Sequence, residues 1–294
     1  MSPPRRHPSF RAFLPYVWIG ATLLCFRPSA AFAEPLRIVS LAPNLTELVC
    51  VLGLRESLVG RTSACDYPPD IESIPVVGGF GRPNLEALLE VGATLILFSD
   101  AEKPGLLRWA ENAGARVLRL PCTTWQEIEE AARTIGQAAG VETEAEHWIK
   151  NSQARWAKLE AETQGRPHVP RVYVELWASP LTTVGRQSHL HELIGRAGGK
   201  NIAEELGGAY PHVSAEWVLR QAPEAILVLS MQPDAASTPN FARRPGWSAI
   251  PAVRNGQVIA DLDPDLLLRP GPRLIDGAEQ LAARLAVVQG AETR

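Results

Sequence analysis

The chain has 294 residues, with 29 lysines and arginines against 32 aspartates and glutamates, for a net charge of −3. Arg5, Arg6, Arg11 and Arg27 all precede residue 34, so the remainder holds 25 basic residues against 32 acidic ones, a charge of −7. An acidic body without a basic run argues against nucleic acid and against an anionic membrane surface as partners.

Residues 1–33 read as a Sec signal peptide. Three arginines make a basic n-region, a mostly apolar run extends from Phe13 to Phe26, and Ala31-Phe32-Ala33 supplies a small-x-small cleavage site before Glu34. The apolar run is short for a membrane span. Leu24, just before Cys25, is too large for a lipobox, and the arginine pair lacks the rest of a twin-arginine motif. The expected product is exported, about 260 residues long, and large enough for two modest α/β domains. No later apolar run reaches transmembrane length.

From Glu34 onward, strands and helices alternate. Arg37-Ile-Val-Ser-Leu41 predicts a first strand, followed by a helix from about Asn44 to Leu52 and a short strand at 57–61. The loop Ser63-Ala-Cys-Asp-Tyr-Pro-Pro69 cannot continue a strand, and the glycine-rich Val76–Pro83 segment carries Phe80 at its middle. Helix 84–91, strand 94–98, helix 104–114, strand 116–120 and helix 124–139 follow. Glu142 to Gln164 has no glycine or proline, and Trp148, Ile149, Trp156 and Leu159 recur at helical spacing. At 1.5 Å per residue that helix reaches roughly 30 Å, about one domain diameter.

The second half repeats the plan. Strand 171–175 leads into the loop Leu176–Gly185, helix 188–197 ends at Gly198-Gly199, and a loop around Gly207–Pro211 precedes helix 214–221 and strand 225–229. A polar loop at 231–245, strand 257–260, the proline-flanked segment Asp261–Pro272 and helix 273–288 close the chain. Asn84-Leu-Glu-Ala-Leu-Leu-Glu-Val-Gly-Ala-Thr-Leu-Ile-Leu returns without gaps as Ser214-Ala-Glu-Trp-Val-Leu-Arg-Gln-Ala-Pro-Glu-Ala-Ile-Leu. Each copy opens on an N-cap residue, Asn84 or Ser214, places a glutamate in the first turn, Glu86 or Glu216, and ends in an apolar strand.

The fold class is therefore α/β: two Rossmann-like lobes with mostly parallel central sheets, joined by one long backbone helix. Residues 34–141 form the N-terminal lobe, 142–166 the connecting helix and 167–294 the C-terminal lobe. Two matched lobes favour a ligand held between them.

No nucleophile elbow, P-loop, HExxH or dinucleotide fingerprint is present, which disfavours an enzyme such as a secreted α/β hydrolase. His189 and His191 lie two apart on a predicted helix, hence on different faces, and form no shared metal site. Cys50, Cys65 and Cys122 follow the signal peptide; Cys50 reads as a buried thiol, and whether Cys65 and Cys122 are bridged stays open. Aromatics stand out at strand ends: Tyr67, Phe80, Trp177 and Tyr210 fall in loops that follow a strand or precede a repeat helix. In α/β sheets such loops form the carboxyl edge, where ligands bind. Four aromatics there suit a large, flat, partly apolar ligand, and Asp265 and Arg269 are placed to meet its polar rim.

Arg37-Ile-Val-Ser-Leu-Ala-Pro, Cys65-Asp-Tyr-Pro-Pro, Asn84-Leu-Glu, Pro180-Leu-Thr-Thr-Val-Gly, Ala197-Gly-Gly-Lys-Asn-Ile and Val213-Ser-Ala-Glu resemble the vitamin B12-binding members of the helical-backbone (class III) family of ABC-importer binding proteins. That family also serves ferric siderophores and haem. The resemblance covers essentially the whole chain after residue 33. It implies a monomeric periplasmic protein that captures a corrinoid, cobalamin above all, and delivers it to an ABC importer permease in the inner membrane. Cobalamin would be the transported ligand, with no resident cofactor or metal.

Residue by residue, the resemblance implies that Tyr67 packs on the ligand. Phe80 and Tyr210 stand where the family has tryptophans, and Trp177 supplies the second-lobe aromatic. Asp265 and Arg269 match residues near the corrin's polar edge. Ser99 stands where another tryptophan is expected. That departure keeps haem and ferric siderophores as alternatives, with Tyr67, Tyr210 or His212 as iron ligands. Glu86 and Glu216 match a pair of surface glutamates, one per lobe, that dock on arginines of the permease. Their first-turn placement is itself favoured by the helix dipole, by roughly 0.3–1 kcal/mol, and two such charges give a two-point clamp for a two-fold partner.

Overall fold

Leu95, Ile96, Leu97 and Phe98 are all buried, the pattern of a strand covered on both faces. They belong to the first of two separate four-stranded sheets. The computed structural model describes residues 35–99, 104–229 and 240–288, so the signal peptide expected at 1–33 lies outside the described residues.

In chain order, the first half contains β1 (Ile38–Ser40), α1 (Pro43–Val51), β2 (Leu58–Arg61), a short hairpin of β3 (Gly78–Gly79) and β4 (Arg82–Pro83), α2 (Leu85–Glu90), β5 (Leu95–Phe98), α3 (Pro104–Asn112), β6 (Arg116–Arg119) and α4 (Trp125–Ala139). Then comes α5 (Glu142–Gln164). The second half contains β7 (Arg171–Glu175), a hairpin of β8 (Trp177–Ala178) and β9 (Leu181–Thr182), α6 (His189–Arg196), β10 (Lys200–Asn201), α7 (Ala215–Gln221), β11 (Ala225–Val228), α8 (Pro251–Arg254), β12 (Val258–Ile259), α9 (Pro264–Leu268) and α10 (Leu274–Leu285).

The sheets have the strand orders β2-β1-β5-β6 and β10-β7-β11-β12, and every pairing within them is parallel. The predicted repeat is visible in this topology. Helix α2 and strand β5 occupy the places that α7 and β11 occupy in the second sheet. Asn84 accepts hydrogen bonds from the backbone N–H of Glu86 and Ala87, and Ser214 accepts one from Trp217, so both expected N-caps are made.

Alternation along the strands decides which core each side chain enters. Ile38, Leu95, Leu97, Val172, Val174, Ala225 and Leu227 all enter one apolar cluster. Val39, Ile96 and Phe98 face a second cluster, whereas Tyr173, Ile226 and Val228 face a third. The inner faces of the two sheets therefore feed one continuous core, while each outer face has its own. Helix α5 packs within the shared core. Ala145, Ile149, Ser152, Trp156, Leu159 and Thr163 recur every three or four residues and are buried, against α4 on one side and α6 and α10 on the other. Trp125, the first residue of α4, meets Trp148 and Trp156 of α5 at ring-centroid distances of 5.9 and 5.2 Å. A capping box of Thr124 and Glu127 fixes the start of α4, and Gly140 at φ 72 ends it.

Three local expectations are refined. The segment 261–272 was expected as a loop, but Asp263 caps a short helix there by accepting from the N–H of Asp265, with Pro264 in its first turn. Phe80 and Trp177, expected in open loops, sit on the two hairpins. Cys50 is half-buried rather than buried; loss of solvent, with Asp70 nearby, pushes its thiol up to about 11. Cys50, Cys65 and Cys122 are present as thiols, not in a disulfide; the Cys65 sulfur lies 3.1 Å from both the Thr46 and the Thr62 hydroxyl.

Candidate ligand-binding site

Among the described residues, the large exposed aromatics are Tyr67, Phe80, Trp177 and Tyr210, at 41, 51, 37 and 53% of full exposure. These are the four singled out in the sequence. Trp125, Trp156 and Trp247 are buried instead, so aromatic composition alone does not select the set.

Each is carried past a carboxyl strand end. Tyr67 lies in the loop after β2. Val76 continues beside Arg61 in parallel, and the Ser63 N–H donates to the Gly78 carbonyl, so the β3–β4 hairpin projects beyond β2 with Phe80 at its tip. In the second sheet β7 runs directly into β8, and β9 returns beside it with Trp177 opposite Thr182. Residues 209–213 then add a third antiparallel segment. Thr182 pairs with His212, Thr183 donates to Pro211, Gly185 to Ala209, and Val213 to Leu181. Directly paired residues share a face, so Trp177, Thr182 and His212 form one row, and Tyr210 is two residues along from it. The Thr182 hydroxyl lies 3.0 Å from His212 Nδ1.

Contacts between the two sheet edges show how they meet. The segment after β12 reaches α1 and the loop after β2. Arg269 donates to both carboxylate oxygens of Asp66, at 3.0 Å for the Nη2–Oδ2 bond, and lies 2.8 Å from Asp265. Asn44 donates to the Pro270 carbonyl at 3.0 Å. Arg273, at the start of α10, makes two hydrogen bonds to Glu47 of α1, at 2.7 and 3.0 Å, and its guanidinium carbon sits 3.8 Å from the centroid of the Tyr67 ring. Tyr67, Asp265 and Arg269 are thus brought into one polar network, to which the structure adds Glu47, Asp66 and Arg273.

Two guanidiniums in this network face three carboxylates. The hydrogen bonds from Arg269 hold Asp66 below the usual carboxylate range, whereas burial raises Asp265. Burial likewise raises Glu47 against the pull of Arg273. Neither arginine is an uncommitted cation.

Sequence reasoning missed Glu47, Asp66 and Arg273 as functional candidates. Asp66 had a signal, since it sits inside the Cys65-Asp-Tyr-Pro-Pro segment. Glu47 and Arg273 carry no motif in the sequence. Ser99 is half-buried at the end of β5. His189 is buried and its Nε2 lies 2.8 Å from the Leu267 carbonyl, while His191 lies near Asn201, so the two histidines do not converge. Among the described residues no group of three or more His, Cys, Asp or Glu is placed to hold a metal ion, and no helix is long and apolar enough to cross a membrane.

Glu86 and Glu216 are exposed in the first turns of α2 and α7. The backbone N–H and Ser214 at the helix start hold the Glu216 carboxyl below its usual range. A second ion pair lies at the carboxyl end of β7. Arg244 donates to both oxygens of Glu175, the last residue of β7, and stacks over Phe241 and Trp247 at 4.4 and 4.6 Å.

The sequence profile of the periplasmic binding protein family matches residues 38–266. The vitamin B12-binding protein of Pectobacterium carotovorum subsp. carotovorum (strain PC1) is 27% identical over 273 residues, covering 92% of this chain and 95% of that protein. Among solved structures, the periplasmic vitamin B12 binding protein BtuF of Vibrio cholerae superposes with a TM-score of 0.73 at 28% identity, over 87% of this chain and 98% of that one. The apo form of the periplasmic heme-binding protein RhuT from Roseiflexus sp. RS-1 superposes with a TM-score of 0.75 at 25% identity, over 85% and 98%.

Proposed function

Since the chain belongs to the periplasmic binding protein family, we propose that it captures a corrinoid, cobalamin above all, between its two sheet edges and hands it unchanged to an ABC importer in the inner membrane. The observation that carries this reading is the pairing of four exposed aromatics with a rim whose arginines are already neutralised. A corrin is large and flat, which suits aromatic walls, and its periphery bears neutral amides. Asp66 and Asp265 can accept from amide N–H groups while remaining paired with Arg269. A tetrapyrrole bearing carboxylates would need a cation that this rim has committed elsewhere, and burying its charges unpaired is unfavourable.

In this reading residues 34–141 and 167–294 are the two lobes and 142–166 the backbone between them. The core they share through α5 limits closure to small adjustments. Residues 1–33 direct export to the periplasm. The protein acts as a monomer and makes or breaks no covalent bond. Glu86 and Glu216, one on each lobe, are the docking points for arginines of the permease.

Calorimetric titration of the purified protein with cyanocobalamin, haem and a ferric siderophore tests this reading. Cyanocobalamin is expected to bind most tightly. No binding at about a hundred micromolar, a threshold far weaker than specific capture requires, would sink it.

A haem-binding reading is kept by the likeness to RhuT and by the exposed phenols of Tyr67 and Tyr210. It predicts a shifted Soret band on haem addition that is lost in Tyr67→Phe or Tyr210→Phe, or in His212→Ala should that imidazole ligate the iron.

A further inference from the structure

Tyr67 offers its ring to solvent on one side only, because the other is occupied. The Arg273 guanidinium lies 3.8 Å from the ring centroid, within the range of a cation–π contact. Arg273 is itself held by two hydrogen bonds from its fork to Glu47, whose side chain is 2% exposed. The three groups come from different places: Tyr67 from the loop after β2, Glu47 from α1, and Arg273 from the residue that precedes α10, beyond the second sheet.

We propose that Arg273 is a positioning residue: with Glu47 beneath it, it sets the ring plane of Tyr67 as the stacking platform of the ligand site, and it does so only while the segment leading into α10 is docked on α1. The proposal rests on Tyr67 being a ligand contact, as in the function proposed above. A planar guanidinium fits this task because it stacks on a ring with its face while its edge remains bound to a carboxylate. A lysine supplies the charge without the fork. Docking of the α10 start is secured independently of Tyr67, by Asn44 to Pro270 and by Arg269 to Asp66. The platform is therefore assembled from both halves of the chain, and any shift between them reaches the ligand through the tilt of one ring.

The test uses the full exported protein labelled with 3-fluorotyrosine. Three tyrosines follow residue 33, namely Tyr67, Tyr173 and Tyr210, so each resonance is assigned by a Tyr→Phe variant. Arg273→Met is expected to move the Tyr67 resonance without ligand and to weaken cyanocobalamin binding by roughly five- to thirtyfold, the span of a desolvated cation–π contact. In the Tyr67→Leu background the same change should weaken binding no further. Arg273→Lys should recover part of the loss. Where Arg273→Met does not fold, Glu47→Gln with Arg273→Met removes both buried charges together and is read in the same way. An unmoved Tyr67 resonance, or an equal loss in the Tyr67→Leu background, overturns the proposal. If the parent protein bound no cyanocobalamin, the corrinoid reading would fall, and the apo resonance alone would then decide the role of Arg273.

Discussion

Gly92 and Ala222 occupy the same turn of the repeat, 130 residues apart, and both are left-handed, at φ 58 and φ 43. Each ends a repeat helix and turns the chain into the following strand, β5 or β11. Glycine accepts that conformation freely, whereas an alanine Cβ crowds the carbonyl oxygen at a cost of roughly 1–2 kcal/mol. Ala222 is the only non-glycine with positive φ among the described residues, so the second copy keeps the geometry of the first without its residue.

Ala222→Gly should therefore stabilise the protein. Relief of the left-handed strain exceeds the extra freedom glycine gives the unfolded chain, which is about 0.4–1 kcal/mol, leaving a net gain of roughly 0.5 kcal/mol. A raised midpoint in urea unfolding, with unchanged slope, is the expected outcome; a lowered midpoint contradicts the strain argument.

His189 predicts an acid-side loss of stability. Burial pushes its pKa below the usual imidazole value, and its Nε2 lies 2.8 Å from the Leu267 carbonyl. A neutral ring with its proton on Nε2 donates that bond. The unfolded chain then takes up a proton below about pH 6.5 that the folded one refuses, so stability falls as pH drops through that value, by at most about 1.4 kcal/mol per pH unit. His189→Gln, which retains a donor, should flatten the pH dependence of the thermal midpoint between pH 6.5 and 5. An equally steep variant would assign the dependence to other groups.

Gly185 links backbone packing to the proposed ligand wall at Tyr210. A Cβ built at that position meets the Gly208 carbonyl and lies 3.2 Å from the Pro211 ring. Those atoms flank Tyr210. Gly185→Ala should displace the 208–211 segment and weaken cyanocobalamin binding toward the level of Tyr210→Ala, for which the loss of an aromatic anchor is about tenfold to a hundredfold. The two changes should not add, and additive losses measured by calorimetry would separate Gly185 from the Tyr210 wall.

Glu86→Ala with Glu216→Ala should abolish corrinoid-dependent growth of the host while leaving the cyanocobalamin affinity and the unfolding midpoint nearly unchanged. Both side chains are exposed, and loss of the helix-dipole contribution is worth only about 0.3–1 kcal/mol each. Weakened ligand binding in the purified double variant would place these carboxylates in the site instead.

Much of the architecture was legible from local pattern. The buried face of α5 follows from Ile149, Trp156 and Leu159 at helical spacing, and its two ends fall where Glu142 and Gln164 were placed. The caps at Asn84 and Ser214 follow from side-chain oxygens that satisfy the first N–H groups of a helix. The short hairpins were not legible. Two-residue strands such as β3 and β8 carry no periodic signal and exist because longer segments beside them supply partners. Helix α9 was hidden between prolines, and only the Asp263-Pro264 pair marked its start.

The candidate site divides along the same line. Its four aromatics were legible because they fall in loops that follow a strand or precede a repeat helix, the edge at which α/β sheets bind ligands. Their number and chain positions were set by the sequence alone, as were the matched halves, the connecting helix and the acidic character of the body. What only the tertiary structure decided is which charges neutralise which. Arg269 reaches Asp66 across 203 residues and Arg273 reaches Glu47 across 226. Helix propensity and spacing act within a few turns, whereas an ion pair forms between whichever groups folding brings within hydrogen-bond reach. The face that Tyr67 leaves open was fixed in that way, by an arginine that has no local relation to it.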